Sequence, residues 1–315
     1  MHNLSLIVLS FLVPALGPAA DLKAPCSQSV PNLQEMRLQL AKLSQTAPLI
    51  DRAVGGHFMN NENARLINSY RALTSFKDWN ARSITDIDYW SIFKNGTCDK
   101  ALCAAEKIYG AEAGQTYLYV STFYGFNLST LGYDKLRPPT PQDALLFKAL
   151  YSFRPWQLDE LHPYQQAMAN LPRNLLPFAD VRLTHAGIVN PINPNILSNG
   201  LISVYSVLDT KSDFEKETTL YHEFGHNLRP GENIEISEQW LTASGWFVEE
   251  GKLKNNRPQE FVTEYAKKNL FEDFAETFLY YRYFPAVLKE KSPARYQYMK
   301  IQIYGEVEYL NCPSI

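Results

Sequence analysis

One short segment, Tyr221–Leu228, constrains the structure of this chain more strongly than any other feature of the sequence. It reads Tyr-His-Glu-Phe-Gly-His-Asn-Leu, so that His222 and His226 are four residues apart. On an α-helix each residue advances by about 100°, and positions four apart therefore project from the same face. The spacing predicts a helix that presents both imidazoles to one metal ion.

We expect the other residues of this predicted helix either to be buried in the core or to take part in catalysis. The apolar side chains fall on the opposite side, where we expect them in the core: Leu220, Tyr221, Phe224 and Leu228. Glu223 lies beside the histidine face, where its carboxylate can meet a metal-bound water without becoming a ligand. Catalytic zinc lowers the pKa of such a water to roughly 7, and a neighbouring carboxylate can take its proton during attack on a carbonyl. The alternative is a chance histidine pair on a solvated helix face.

A second segment, Thr263–Phe278, supplies acidic residues that could complete the site. Glu272 and Glu276 share a helical face, and an apolar face is formed by Phe271, Phe274, Phe278 and Leu279. Glu272 can be the third ligand of a site with two histidines and one glutamate. Glu276, one turn further on, can accept a hydrogen bond from a ligand histidine and fix its tautomer. Taken alone, the two glutamates also fit an acidic, solvated helix face.

The two segments together resemble the catalytic domain of anthrax lethal factor and related secreted bacterial metallopeptidases. The resemblance rests on the His-Glu-Phe-Gly-His segment and on Tyr265, which precedes Glu272 by seven residues. Glu276 follows four residues after Glu272. The similarity covers Leu201 to Tyr281 and does not extend over the N-terminal half. It implies a fold and a chemistry, but it implies no particular target protein.

The resemblance implies a role for each matching residue. His222, His226 and Glu272 would bind zinc, and Glu223 would be the general base. Tyr265 would donate a hydrogen bond to the oxyanion that develops in the transition state. The chain has 19 tyrosines, so a packing role beside the ligand helix is the alternative for Tyr265.

The N-terminal residues predict export. Residues 4–16 are almost wholly apolar, and small residues suited to a signal peptidase follow at Gly17, Ala19 and Ala20. The apolar run is too short to cross a bilayer comfortably, and no later stretch is long and apolar enough. We therefore expect a signal peptide at 1–20, a secreted or periplasmic protein, and no stable membrane insertion after signal removal.

Four cysteines are an even number in a chain that we expect to meet an oxidising compartment. Their spacing suits no zinc knuckle, so we expect disulfide bonds rather than ligands. Three connectivities fit four cysteines, and the favoured one joins Cys98 to Cys103 and Cys26 to Cys312.

The pattern of apolar residues changes near residue 175. Residues 21–175 read as a helical N-terminal region; one helix follows Pro31, with its apolar positions at Leu33, Met36, Leu40 and Leu43. Another helix is expected after Thr140. Residues 176–315 read as a zincin-like catalytic domain with strands at Val181–Val189 and Leu201–Leu208. The predicted class is α+β: a mostly helical, zincin-like metallopeptidase with a small sheet beside the histidine-bearing helix, where an extended substrate can lie along a sheet edge.

Composition limits the competing functions. Apolar residues at 45% and charged residues at 20% are ordinary for a folded chain, and a net charge of −3 provides no basic field for nucleic acid. We therefore expect a protein or peptide substrate, Zn²⁺ as cofactor and peptide-bond hydrolysis. The alternatives are an amidase that acts on cell-wall peptides and a catalytically inactive, zinc-stabilised binding protein. Against the inactive protein, Glu223 and Tyr265 are both present although neither is needed merely to hold zinc.

Overall fold

The structure is a computed structural model of the 315-residue chain. The residues it describes are 26, 28–42, 102, 106, 110–128, 153–154, 156–176, 181–186, 201–228 and 234–312. The predicted signal peptide, the predicted helix after Thr140 and the predicted Cys98–Cys103 pair lie outside these residues. No helix in the described ranges has the length and apolar character needed to cross a membrane.

Helices make up most of the described chain. The α-helices span 33–42, Ala111–Tyr119, Leu158–Ala169, Asp213–His226, Glu238–Ser244, Leu270–Tyr283, Pro285–Lys291 and Pro293–Tyr298. Short 3₁₀ helices lie at Arg173–Leu175, Ser206–Thr210, Ile234–Ile236, Pro258–Glu260 and Tyr265–Lys268, and π-helical turns at Val120–Tyr124 and Met299–Ile303. We call Asp213–His226 the histidine helix and Leu270–Tyr283 the glutamate helix.

A four-stranded sheet lies before the histidine helix in the chain. Its strands are β1 (Phe126–Leu128), β2 (Phe153–Arg154), β3 (Val181–Ala186) and β4 (Leu201–Tyr205). Strand β3 is central: it pairs with β1 in parallel and with β2 antiparallel along one side, and with β4 in parallel along the other. Among the described strands β4 has only this neighbour, so it is one of the edge strands of this sheet. The described residues are thus mostly helical with a small sheet, which is consistent with the predicted α+β class.

Strand β4 is shorter than the sequence predicts. It ends at Tyr205, and the last three residues of the predicted strand belong to the 3₁₀ helix Ser206–Thr210. The chain has to turn there, and hydrogen bonds from Lys211 N to the Leu208 carbonyl and from Thr210 Oγ1 to the Val207 carbonyl hold that turn. Strand β3 ends at Ala186, and the last residues predicted for it lie outside the described ranges.

A second, two-stranded sheet follows the helix Glu238–Ser244. Strands β5 (Trp246–Glu249) and β6 (Lys252–Asn255) pair antiparallel across a tight turn. Glu250 and Gly251 both have positive φ, 51° and 74°, as the two central residues of a type I′ hairpin turn require. This hairpin was not predicted from the sequence.

Capping residues set where the two named helices begin. Ser212 accepts a hydrogen bond from the Glu215 N–H, and the Glu215 carboxylate accepts from the Ser212 N–H in return, forming a capping box before the histidine helix. Asn269 Oδ1 accepts from the backbone N–H groups of Phe271 and Glu272 at the start of the glutamate helix. The cap therefore fixes the backbone of Glu272 directly.

The two named helices pack against each other through aromatic side chains. All four residues predicted to be buried on the histidine helix and its end are buried: Leu220, Tyr221, Phe224 and Leu228. The Tyr221 ring stacks on that of Phe278, with centroids 4.9 Å apart. On the glutamate helix the predicted apolar face is buried except at Phe271, which is 45% exposed. That prediction was wrong at Phe271 because the preceding residue, Leu270, takes the buried position of the first turn and is only 2% exposed.

Residues far apart in the chain meet behind the glutamate helix. The predicted Cys26–Cys312 disulfide is confirmed, with Cα atoms 5.0 Å apart. Arg282 donates to the Cys26 carbonyl at 2.8 Å and to Asn170 Oδ1 at 2.7 Å. The main sheet also joins strands from both sides of residue 175. The division at that residue stays a prediction.

Candidate metal centre

Three potential ligand atoms converge between the two named helices. Nε2 of His222 lies 3.2 Å from Oε2 of Glu272, and Nε2 of His226 lies 3.3 Å from the same oxygen. These residues form a group whose ligand atoms all lie within 4.8 Å of one another. The structure thus brings together the three residues that the sequence predicts as ligands.

The other ring nitrogen of each histidine contacts a carboxylate. Nδ1 of His222 lies 2.8 Å from Oε1 of Glu276, and Nδ1 of His226 lies 3.1 Å from Oε1 of Glu235. An ionised carboxylate only accepts hydrogen bonds, so each Nδ1 carries the proton. Each Nε2 is then free to bind a metal through its lone pair.

This tautomer leaves a conflict that a cation resolves. With Nδ1 protonated, the Nε2 lone pairs of two neutral imidazoles face the lone pairs of Glu272 Oε2, and such contacts between acceptors repel. Either protons or a cation must lie between them. The carboxylates that surround the two rings make a strong negative field: Glu223, Glu235, Glu272 and Glu276. A donor set of two imidazoles and one carboxylate fits Zn²⁺.

Electrostatics favour positive charge at the two imidazoles. Burial lowers the pKa of His226, but hydrogen bonds with Glu235 and Glu272 outweigh burial and raise this pKa to about 10. For His222 burial also lowers the pKa, and hydrogen bonds with Glu272 and Glu276 raise it above its ordinary value. Burial raises the pKa of Glu272, while its hydrogen bonds with both imidazoles dominate and hold it well below the usual range. Protons and a divalent cation therefore compete for the same two nitrogen atoms.

Glu223 contributes a carboxylate whose hydrogen bonding is incomplete. Its Oε2 is buried and has no hydrogen-bond partner within the described structure. Its backbone carbonyl accepts from Asn227 Nδ2 at 2.9 Å at the end of the histidine helix. A buried carboxylate oxygen without a partner is energetically costly, so this oxygen is suited to accept a hydrogen bond from a ligand or a water.

Tyr265 contacts two of the three predicted ligands, Glu272 and His222. Its hydroxyl donates to Oε1 of Glu272 at 3.3 Å, and its ring meets the His222 ring edge-on with centroids 5.8 Å apart. The Nζ atom of Lys268 lies 3.8 Å from the centre of the phenol ring. The side chain is 43% exposed, so Tyr265 is not a buried packing residue. Partial burial and then the neighbouring Glu272 raise its pKa to about 12, and the phenol keeps its proton at neutral pH.

A buried ion pair supports the glutamate helix next to Glu272. Asp273 and Arg295 are both fully buried, and Nη2 of Arg295 lies 2.9 Å from Oδ2 of Asp273. The same oxygen accepts from Trp246 Nε1 at 2.9 Å. Arg295 Nη2 also donates to the Ser244 carbonyl at 2.8 Å. These bonds fix the rotation of the helix about its axis, and they hold Glu272 towards the histidines.

Sequence reasoning missed two residues of this centre. Glu235 lies in the 3₁₀ helix Ile234–Ile236, nine residues after His226, and no helical spacing connects the two. Thr263 donates from Oγ1 to Oε2 of Glu276 at 2.7 Å. A single threonine gives no signal in a sequence. A glutamate shortly after the second histidine is a weak signal that only the fold can interpret.

Comparisons with known proteins add no family assignment. No model of a known protein family matches the chain, and neither a curated protein nor a solved structure matches it at a significant level. The resemblance stated from the two motifs therefore depends on the residues and their arrangement alone.

Proposed function

We propose that this chain is a secreted or periplasmic zinc metallopeptidase that hydrolyses peptide bonds in protein or peptide substrates. The observation that carries the proposal is the contact of one oxygen, Glu272 Oε2, with both histidine Nε2 atoms, at 3.2 Å from His222 and 3.3 Å from His226. These three atoms come from two helices, Asp213–His226 and Leu270–Tyr283, with 43 residues (227–269) between the end of the first and the start of the second.

Three residues would bind the metal ion, and two others would orient the histidine ligands. His222, His226 and Glu272 would hold the zinc ion, while Glu276 and Glu235 fix the orientation of the two imidazoles through their Nδ1 protons. A bound zinc ion supplies Lewis acidity, which lowers the pKa of water and polarises a carbonyl group.

Glu223 provides the base. Its Oε2 is buried and lacks a partner, so it is suited to accept a proton from the attacking water. The carboxylate can then pass that proton to the amine that leaves as the peptide bond breaks. Burial beside two imidazoles keeps bulk water from competing for this oxygen.

Tyr265 provides a donor for the developing oxyanion. Its hydroxyl already points at the ligand carboxylate of Glu272, and its pKa of about 12 keeps the proton available at neutral pH. A donor in this place stabilises the tetrahedral transition state more than the planar substrate. The partial exposure of Tyr265 leaves room for a substrate to approach.

Further observations bear on the compartment, on catalysis and on the substrate. The Cys26–Cys312 disulfide is compatible with an oxidising compartment, in line with the export signal expected at 1–20. The unpartnered Glu223 Oε2 and the half-exposed Tyr265 favour an enzyme over an inactive zinc-binding protein, because neither is needed to hold the metal. Strand β4 lies at an edge of the described sheet and is separated from the histidine helix by the 3₁₀ helix Ser206–Thr210, and this placement supports an extended peptide as substrate.

The proposal is tested by incubating the mature protein with a mixed peptide library, with and without a zinc chelator. Cleavage that the chelator abolishes and that added zinc restores supports the proposal. Glu223→Gln is the inactive comparison, and Glu238→Gln, an exposed glutamate on a neighbouring helix, is the matched control that keeps activity. Zinc binding without cleavage of any peptide would contradict it, and cleavage of cell-wall peptides alone would favour the amidase.

A further inference from the structure

Both oxygens of the Glu276 carboxylate form hydrogen bonds, and the partner of the second oxygen belongs to the chain segment just before Tyr265. Oε1 lies 2.8 Å from His222 Nδ1, and Oε2 accepts from Thr263 Oγ1 at 2.7 Å. Glu276 is only 9% exposed, so water has little access to replace either bond. The orientation of this carboxylate is therefore set by the two protein donors.

Thr263 has a second bond, which ties its hydroxyl to the backbone. Oγ1 accepts from the Ala266 N–H at 3.0 Å, three residues along the chain. This local side-chain-to-backbone bond is the type that starts a helical turn, and here the turn is the 3₁₀ helix Tyr265–Lys268. The Thr263 hydroxyl donates its one hydrogen to the Glu276 carboxylate, and one of its lone pairs accepts the hydrogen bond from the Ala266 N–H.

We infer that Thr263 is a positioning residue that couples the zinc ligand His222 to the oxyanion donor Tyr265. The polarity runs in one direction: Ala266 N–H donates to Thr263, Thr263 donates to Glu276, and Glu276 holds the Nδ1 proton of His222. One hydroxyl thereby fixes the imidazole on one side and the turn that carries the phenol on the other. The inference rests on the proposed function.

The coupling has a specific consequence for Tyr265. The phenol is 43% exposed, and its contacts are the Glu272 carboxylate, the His222 ring edge and Lys268. These surface contacts are weak, so the backbone turn has to hold the phenol in place. Loss of the Thr263 hydroxyl should loosen both the imidazole and the phenol, whereas loss of an ordinary packing residue would lower stability alone.

The test uses the full mature chain with zinc as the probe. Zinc affinity is measured by competition with a chelator for wild type, Thr263→Val, Thr263→Ser and the control Thr242→Val, which replaces an exposed threonine. We expect Thr263→Val to bind zinc about 10-fold more weakly, as for loss of a partner that orients a ligand. Thr263→Ser keeps the hydroxyl and should stay within about twofold of wild type, as should the control. Thr263→Ala replaces the valine variant if a thermal melt shows that the latter is unfolded.

A double-mutant cycle adds the link to Tyr265. With zinc saturating, Thr263→Val should lower kcat with KM unchanged, and it should cost less kcat in a Tyr265→Phe background, because the phenol hydroxyl that it positions is then gone. If the wild type binds no zinc, the proposed function fails and the inference fails with it. If the wild type binds zinc and Thr263→Val binds it equally well, the coupling alone is overturned. Equal losses of kcat with and without the Tyr265 hydroxyl would also overturn it.

Discussion

Gly225 on the histidine helix and Ala275 on the glutamate helix are in direct backbone contact. A Cβ atom placed on Gly225 would lie 2.8 Å from the Ala275 Cα and 3.1 Å from its Cβ. The first of these distances is shorter than real Cβ contacts, and the Ala275 backbone cannot move aside as the end of a flexible side chain can. The close approach lets His222 and Glu272, which flank this contact on their helices, reach one metal ion.

Gly225→Ala should therefore separate the two helices. We expect a loss of about 1–3 kcal/mol in the free energy of unfolding, as for overpacking in a core, together with weaker zinc binding. Chemical denaturation and chelator competition measure the two effects. Thr219→Ala, at an exposed position of the same helix, is the control, because it also introduces alanine. Unchanged stability and affinity in Gly225→Ala would mean that the helices do not depend on this contact.

Glu223→Gln should retain the fold and zinc while losing hydrolysis. The amide is nearly isosteric, but it cannot take a proton from the attacking water. General-base catalysis contributes about 10²–10⁴-fold, so kcat should fall within that range. Steady-state kinetics beside elemental analysis provides the check. A variant that kept more than about a tenth of the wild-type kcat would show that Glu223 is not the base.

Tyr265→Phe removes one hydroxyl that matters only when the carbonyl has become tetrahedral. Interactions made only in the transition state lower kcat rather than raise KM when they are lost. We expect normal zinc content, a similar KM and a kcat lower by roughly 10–10³-fold. A thermal melt separates this outcome from a packing role, for which stability would fall and kcat would stay within about twofold of wild type.

Glu235→Ala tests the residue that the sequence did not predict. Nδ1 of His226 would lose the carboxylate 3.1 Å away that holds its proton and its orientation. Zinc affinity should fall by about 10–100-fold, with the melting temperature of the zinc-free protein little changed. Glu238→Ala, three residues further along the chain and exposed, provides the comparison. Equal zinc affinities in both variants would remove Glu235 from the metal centre.

The parts of the site that the sequence predicted are those that follow from helix geometry. The spacing of His222 and His226, or of Glu272 and Glu276, determines a shared face as soon as the segment is helical. Each segment also contains enough apolar residues at helical spacing to make the helix itself predictable. That the histidine helix and the glutamate helix form one site could be predicted only from the resemblance, because no local sequence pattern indicates that Glu272 contacts His222.

The parts that the sequence did not predict depend on tertiary contacts. Strands β1 and β2 have three and two residues, too few for any alternation of apolar and polar side chains to be recognised. Phe271 fits the apolar periodicity of its helix, but Leu270 beside it takes the buried position and leaves the Phe271 side chain 45% exposed. Glu235 and Thr263 act through single hydrogen bonds across the fold, which leave no periodic trace.

The zinc content of the protein tests the central claim most directly. Elemental analysis of protein purified without added metal should find close to one zinc ion per chain, because the ligand atoms of His222, His226 and Glu272 all lie within 4.8 Å of one another. The double variant His222→Ala, His226→Ala should contain almost none, and Glu223→Gln should contain as much as wild type. Wild-type protein without zinc, or a double variant with full zinc, would contradict the account.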